Sequence, residues 1–273
     1  LVSGPDAGIP PVSELLAACH DLADAADAMS LGAFRRHLDV RTKSDGTWVT
    51  DVDESVERTL RSLIGQRFPG HAVLGEEGGR EGPDDAPTWI LDPIDGTSNF
   101  VKGNPIFATL IAVQVDGREV AGVVSAPALT TRWDSVADGV AHQDGREIHV
   151  SPVRHLRDAE VAFGGLDYFA DRGWNDAVER LIAGTRRQRG YGDFWNHCLV
   201  ASGSTDIAVE ADVSVWDLAA VKVVVEAAGG RFTDFRGRPS ADGGNALSTN
   251  GALHDEVLAL FTARPDQGVG GDG

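Results

Sequence analysis

Four short segments place carboxylates where an apolar run meets a turn: Val49-Thr50-Asp51-Val52-Asp53, Gly75-Glu76-Glu77-Gly78, Asp92-Pro93-Ile94-Asp95-Gly96-Thr97 and Val215-Trp216-Asp217-Leu218. An ionised carboxylate beside Trp89, Ile90, Leu91 or Trp216 is costly unless something positive pairs with it. Basic residues are scarce around these segments, so bound cations are the natural partners. In the third segment Leu91 ends an apolar strand, Asp92 leaves it, and Pro93 fixes φ and turns the chain. Asp95 returns a second carboxylate to the same side, with the Ile94 carbonyl between the two. Gly96 permits close backbone approach, and Thr97 opens a helix-like stretch whose free N–H groups suit a phosphate oxygen. Two carboxylates and a carbonyl are hard oxygen ligands, which favour Mg²⁺ or Mn²⁺ over zinc. Taken singly, each piece has an ordinary reading as a solvated loop, a helix cap or a turn. Their ordered combination is what points to chemistry.

The elements that must carry these segments follow from periodicity. Ser13 reads as the cap of a helix with Leu15, Leu16, Cys19, Leu22, Ala25, Ala26 and Met29 on its apolar positions. A second helix fits 53–68, with Asp53 as its cap and Phe-Pro-Gly as its stop. Strands are expected at 72–75, 88–91, 106–115, 120–125, 133–140 and 147–150, with Asp116-Gly117 and Asp144-Gly145 as hairpin turns. Beyond residue 151 strand and helix alternate: strands at 159–163, 186–189, 206–210 and 231–233, helices at 174–183, 194–202, 215–228 and 253–262. The expected fold class is therefore α/β, with an α+β half over 1–150 carrying the metal and water-activating motifs. An α/β half over 151–265 follows, carrying the last metal ligand and the specificity residues. Residues 1–11 are expected to be loose, and 266–273 to form a disordered tail.

The chain has 273 residues and a formal charge of −18. That charge disfavours a nucleic acid polymer as partner, since phosphate backbones select basic surfaces. It leaves room for a small phosphorylated metabolite whose charge metal ions screen locally. The two cysteines, Cys19 and Cys198, sit far apart in apolar helical stretches and read as buried thiols of a reducing compartment. With neither a signal-peptide pattern nor a membrane-length apolar run, a cytoplasmic location without membrane association is expected.

The ordered motifs closely resemble the inositol monophosphatase superfamily. Two signatures carry the likeness: Trp89-Ile90-Leu91-Asp92-Pro93-Ile94-Asp95-Gly96-Thr97-Ser98-Asn99-Phe100, and Trp216-Asp217-Leu218-Ala219-Ala220 with Glu226-Ala227-Ala228-Gly229-Gly230. The similarity runs from about Lys43 to Leu258. It implies a layered αβαβα sandwich, usually a homodimer, and a Mg²⁺-dependent phosphomonoesterase. Glu76, Asp92, Asp95, Asp217 and the Ile94 carbonyl would hold two or three Mg²⁺ ions, with Mn²⁺ as a substitute. Asp53, Thr97 and Glu76 would form the catalytic set that orients and deprotonates the attacking water, and the Gly96 and Thr97 N–H groups would bind phosphate. Lys43 matches a family lysine near the metal loop, or is a surface lysine.

Substrate choice turns on the second half. Tyr191-Gly192-Asp193-Phe194, Asp212-Val213-Ser214-Val215-Trp216-Asp217 and Thr249-Asn250-Gly251-Ala252-Leu253-His254 resemble the histidinol-phosphate phosphatase branch, which serves histidine biosynthesis. Asp95, Asp193, Glu210 and Asn250 are the expected substrate contacts. Asp193 adds charge that suits an ammonium or imidazolium group, although it could equally cap the helix starting at Phe194. L-histidinol phosphate is the leading substrate. Inositol 1-phosphate is the alternative, as is an (amino)nucleoside 5′-monophosphate stacked on Tyr191, Phe194 or Trp195 in a specialised pathway. A silent metal- or ligand-binding homologue would have lost a ligand or Thr97, and neither loss is seen. Trp133 and Trp174 read as packing residues, His20 and His197 as core or surface histidines.

Overall fold

The computed structural model describes residues 9–44 and 46–262. The expected tail and most of the loose N-terminal stretch lie outside the described residues. Leu15, Ala18, Cys19, Leu22, Ala23 and Ala26 recur at three- and four-residue steps and form the buried stripe of α1 (Val12–Ala33). Its cap position is Pro11, so Ser13 lies within the first turn rather than before it. A short hairpin, β1 (Val40–Thr42) and β2 (Trp48–Thr50), leads into α2 (Asp51–Arg67). Here Thr50, and not Asp53, is the cap. The Thr50 hydroxyl accepts from the Val52 and Asp53 N–H groups while the Asp53 carboxylate accepts from the Thr50 N–H, a reciprocal capping box. The helix thus begins two residues earlier than the periodicity indicates, because the capping residue is polar and extended while Asp53 is already helical.

The chain continues through β3 (Ala72–Gly75), β4 (Gly79–Glu81), β5 (Thr88–Asp95), α3 (Thr97–Val101), β6 (Ala108–Val115), β7 (Arg118–Ala126), β8 (Thr131–Val136), β9 (His142–Gln143) and β10 (Arg146–Glu147). These strands form one eight-stranded sheet in the order β10-β9-β8-β7-β6-β5-β3-β4, antiparallel except for β3 beside β5. Asp116-Gly117 (φ 50° and 76°) and Asp144-Gly145 (φ 52° and 72°) make the expected hairpin turns with both residues left-handed. Strand β5 departs from expectation. It does not end at Leu91 but runs on to Asp95 as a bulge, with its register against β6 shifting between Asp92 and Asp95. Pro93 is tolerated at such an irregularity because its missing N–H is not needed there. Its carbonyl instead accepts from the Thr109 hydroxyl at 2.8 Å.

Next come β11 (Glu160–Phe163), α4 (Leu166–Asp171), α5 (Asn175–Gly184), β12 (Arg187–Arg189), α6 (Asp193–Ala201), β13 (Ile207–Glu210), α7 (Val215–Ala227), β14 (Arg231–Thr233), β15 (Ala246–Thr249) and α8 (His254–Thr262). The second sheet has the order β12-β11-β13-β15-β14. Its first three strands are parallel, while β15 runs antiparallel to both neighbours. Periodicity missed β15 because Ala246-Leu-Ser-Thr249 is short, poor in β-branched residues and preceded by glycines.

Apolar packing divides into three cores, and these give the layers. One lies between α1, α2 and a face of the first sheet. The second fills the space between the sheets, where α6 and α7 are sandwiched. The third joins the outer face of the second sheet to α4, α5 and α8. The result is the αβαβα sandwich. Cys19 and Cys198 are free and buried in it. Among the described residues no helix is long and apolar enough to cross a membrane.

The seating of α7 on the first sheet is unusually close at one point. A Cβ on Gly122 of β7 would lie 2.8 Å from the Ala220 carbonyl oxygen and 3.1 Å from its Cα. Ala220 stands one turn beyond Asp217, so this contact sets the height of the helix start. Gly122→Ala is expected to lower stability by about 1–3 kcal/mol through overpacking against backbone that cannot yield. Urea unfolding of the two chains measures it.

Candidate active site

Three elements converge on one point. The β5 bulge supplies Asp92 and Asp95, and the first turn of α7 supplies Asp217; ligand atoms of all three lie within 4.8 Å of one another. Backbone N–H groups hold each carboxylate in place. Asp92 Oδ1 accepts from the Ile94 N–H at 3.0 Å, which locks the bulge. Asp95 Oδ2 accepts from the Phe194 N–H at 2.6 Å, tying the bulge to the start of α6. Asp217 Oδ2 accepts from the Ser214 N–H at 2.7 Å within a second capping box. Asp217 therefore occupies the same third helical position in α7 that Asp53 occupies in α2.

The remaining expected residues of the first half are drawn to the same place. Glu76 follows β3, and its N–H donates to the Leu91 carbonyl at 3.2 Å, so it sits beside the bulge. Lys43, on the loop between β1 and β2, reaches Glu76 at 2.6 Å and Glu77 at 2.7 Å. Burial lowers the affinity of its ammonium for a proton, but hydrogen bonds to the two glutamates outweigh this and raise its pKa. Asp53 is fully buried. Its Oδ2 takes the Thr50 N–H at 3.0 Å, and its Oδ1 faces the Thr97 hydroxyl at 3.1 Å. That hydroxyl also lies 3.0 Å from the Ile94 carbonyl, so its single proton has two acceptors. Gly96 adopts φ 79°, and a Cβ there would meet the Ile106 carbonyl at 2.9 Å, so only glycine fits this turn.

Crowding of like charges shows in the proton affinities. Burial raises the Asp92 pKa well above the carboxylate range, and the charges of Glu76, Asp95 and Asp217 add to it. Asp95 is pushed up by burial and by Asp193 and Asp217. Asp217 is raised to about 7, mainly by burial. Burial likewise raises Asp53 and carries Glu77 to about 7. A group of desolvated carboxylates in mutual repulsion is a site that divalent cations relieve, and the donors are all oxygen, as Mg²⁺ requires.

The second half brings two of the three expected specificity residues to this centre. Asp193 opens α6 at φ 57°, after Gly192 as the cap residue, so it is not the helix cap. Its Oδ2 accepts from Asn99 Nδ2 at 3.1 Å and lies 3.3 Å from where a Gly96 Cβ would stand. Burial raises it to about 6. Glu210, at the end of β13, is 6% exposed. Its Oε1 accepts from Asn196 Nδ2, and burial raises its pKa to about 8. Asn250 is not brought in. Its Nδ2 donates to the Ser151 and Val153 carbonyls and to the Ser151 hydroxyl, and its Oδ1 accepts from the Leu253 N–H at 3.2 Å. Its own N–H bonds the Asp206 carbonyl, at the end of β13 opposite Glu210, roughly 13 Å away for four extended residues. The amide is consumed in closing the sheet end, which corrects the expected substrate contact.

Asn99 and Asn196, which brace Asp193 and Glu210, were not singled out by the motifs. A polar amide among the apolar Phe194, Trp195, Cys198, Leu199 and Val200 was the available signal for Asn196. Phe194 and Trp133 are buried, and Trp195 packs edge-on to Trp133 at 5.7 Å between ring centroids, whereas Tyr191 is exposed. Trp174 stands edge-on to Phe235 at 4.8 Å. His197 is a neutral core histidine, 2.7 Å from the Ser248 hydroxyl and lowered to about 4 by burial. His20, partly exposed, lies 3.8 Å from Asp134.

With this geometry in hand, comparison with known proteins is informative. The inositol monophosphatase family matches residues 12–265. A histidinol-phosphatase of Mycobacterium tuberculosis is 47% identical over 249 residues, 89% of this chain and 95% of that protein. A histidinol-phosphatase of Streptomyces coelicolor is 40% identical over 267 residues, 94% of this chain and 100% of that one. Among solved structures, an IMPase of Thermotoga maritima superposes with a TM-score of 0.82 at 32% identity, covering 91% of this chain and 96% of its own.

The raised carboxylates make the stability of the metal-free protein fall as pH rises. Asp217 takes up its proton near 7 when folded, against an ordinary value of 3.8. The folded chain thus holds protons that the unfolded chain has released, and the stabilisation present near pH 4 is lost as the pH climbs through about 7. In EDTA the melting midpoint is expected to be lower at pH 8 than at pH 5, and Mg²⁺ added at pH 8 to raise it by binding the native state. Asp92→Asn, which removes one of the repelling charges, should flatten the slope in EDTA. A midpoint in EDTA that rises between pH 5 and 8 would contradict the assignment.

Proposed function

The chain belongs to the inositol monophosphatase family and is a phosphoric monoester hydrolase of that type, and from this premise we propose that it hydrolyses a small cationic phosphomonoester, L-histidinol phosphate, to L-histidinol and phosphate. The observation that carries the substrate assignment is the pair of desolvated carboxylates, Asp193 and Glu210. Asp193 lies against Gly96 at the phosphate loop, and the amide partners of both, Asn99 and Asn196, are neutral. Burying such charges is unfavourable until a cation joins them. A substrate ammonium or imidazolium supplies that cation; a neutral polyol does not. The relatives named histidinol-phosphatase support the same choice.

In this reading Glu76, Asp92, Asp95, Asp217 and the Ile94 carbonyl hold two or three Mg²⁺ ions, with Mn²⁺ able to substitute. Mg²⁺ held by these residues would supply a water acidic enough to attack at neutral pH and would neutralise charge on the phosphoryl oxygens. The chain's own groups do the rest. The Gly96 and Thr97 N–H groups, at a helix start without intrahelical acceptors, hold phosphate oxygens. Thr97 donates its hydroxyl proton to Asp53 Oδ1 and so turns a lone pair towards the attacking water. A proton then passes from water to Thr97 and from Thr97 to Asp53, whose raised pKa suits a base. Glu76 orients the same water. Asp193 and Glu210 fix the organic cation and thereby the line of the leaving oxygen. A cytoplasmic homodimer serving histidine biosynthesis belongs to the same proposal.

Phosphate release measured over a panel of esters tests it. With Mg²⁺, L-histidinol phosphate is expected to be the fast substrate, and inositol 1-phosphate and nucleoside 5′-monophosphates slow. A preference for inositol 1-phosphate would sink the cationic assignment. Asp193→Asn and Glu210→Gln should each raise KM for the cationic ester by about 10- to 100-fold, the worth of a charge-assisted contact. Their effect on a neutral ester should be small. Asp92→Asn is expected to abolish turnover while far-UV circular dichroism stays native.

A further inference from the structure

Outside the reacting centre, one buried carboxylate is wrapped by backbone in an unusual way. Glu57 is 2% exposed and lies one helical turn beyond Asp53, on the same face of α2. Its Oε2 accepts from the Glu77 N–H at 2.7 Å, and its Oε1 from the Gly78 N–H at 2.8 Å. Arg61 Nε also donates to Oε1 at 2.7 Å, and the far end of that guanidinium donates to the Gly79 carbonyl at 2.6 Å. The turn from β3 to β4 thus closes around the carboxylate as an anion-binding nest. The fit explains both flanking glycines. A Cβ on Gly75 would run into the Glu57 carboxylate, and one on Gly78 would stand 2.8 Å from Oε1 and 3.0 Å from the Arg61 side chain.

We propose that Glu57 is a positioning residue whose nest presents Glu76 to the metal centre. Glu76 is strung between two anchors. Its own N–H is tied to the Leu91 carbonyl, next to Asp92 on the bulge. The next N–H, that of Glu77, is tied to Glu57 on α2. With both peptide groups held, the Glu76 carboxylate approaches the Asp92 side from a fixed direction, and Lys43 meets it there at 2.6 Å. Since α2 also carries Asp53, one helix face sets the distance between the proton acceptor and this ligand. Glu57→Gln keeps the volume but turns an NH₂ group towards N–H donors, so the turn must open. The inference rests on the reading of the acidic cluster as a metal centre.

Mn²⁺ binding followed by the electron paramagnetic resonance signal of the free ion separates positioning from general stability. Glu57→Gln is expected to bind Mn²⁺ about 10- to 100-fold more weakly than the wild-type chain, as outer partners of metal ligands commonly do. Gly78→Ala, which keeps every hydrogen-bonding group and only displaces the turn, should shift affinity in the same direction; it decides the matter should Glu57→Gln fail to fold. Ile64→Val, a core change in the last turns of α2 away from the nest, should leave Mn²⁺ affinity within twofold. Folded Glu57→Gln or Gly78→Ala with wild-type affinity would overturn the proposal, as would an equal loss in Ile64→Val. Should the wild-type chain bind no Mn²⁺, the metal-centre reading itself fails instead.

Discussion

Mutual repulsion among Asp53, Asp92, Asp95 and Asp217 is the constraint that the architecture must answer. Buried carboxylates this close would separate or take up protons if the chain could relax. What prevents separation is a set of backbone dipoles, one or more for each charge. Ile94 donates to Asp92, Phe194 to Asp95, and Ser214 to Asp217. Thr50 donates to Asp53. Two of these arrangements are the same device used twice, a capping box whose third-position acid is an aspartate. In an ordinary capping box the acid serves the helix. Here its free oxygen also serves the site, which joins helix initiation to the placement of a functional group.

Such dipoles work only if the elements bearing them are rigidly placed, and this is the use of the layered packing. The first sheet fixes β5, and the buried face shared with α1 and α2 fixes Asp53 relative to it. Helices α6 and α7 lie in the middle layer with both starts aimed at the β5 bulge, so a single apolar core determines the positions of the Asp95 and Asp217 partners. The Gly122–Ala220 approach shows how little slack remains. The bulge is the other necessity. A regular strand alternates its side chains across the sheet, whereas the irregularity from Asp92 to Asp95 lets both carboxylates reach the same point.

Much of this was legible in the sequence because the chemistry is concentrated in contiguous motifs. The acidic cluster of Asp92, Asp95 and Asp217 is read without knowing the sheet order, since residue type and local turn chemistry suffice. What failed was local detail that depends on partners remote in sequence. Strand β5 continues past Pro93 because β6 and Thr109 support it. Thr50 rather than Asp53 caps α2, since an Asp at the third helical position looks like a cap until the extended residue before it is known. Asn250 resembled a substrate contact by motif alone, yet its amide is spent on Ser151, Val153 and Leu253. Glu57 passes for a solvated helix residue in sequence, and only the folded turn from Gly75 to Gly78 shows its carboxylate enclosed.

The site also divides by chemistry along the chain. The clustered acids Asp92 and Asp95 lie on β5 and Asp217 on α7, whereas Asp193 and Glu210 lie on α6 and β13. Two contacts join them, the Phe194 N–H on Asp95 and the Asn99 amide on Asp193. Phe194 follows Asp193, which is held at φ 57°, a conformation that Asp tolerates better than most residues but still at some cost. Asn99 and the Gly192–Asn196 bond keep it there. The direction in which Asp193 points is therefore set by the same peptide that secures a metal-site carboxylate. The placements of Asp193 and Asp95 are consequently not independent. Substitutions in 190–196 leave Asp95 in place only where they preserve the Phe194 N–H.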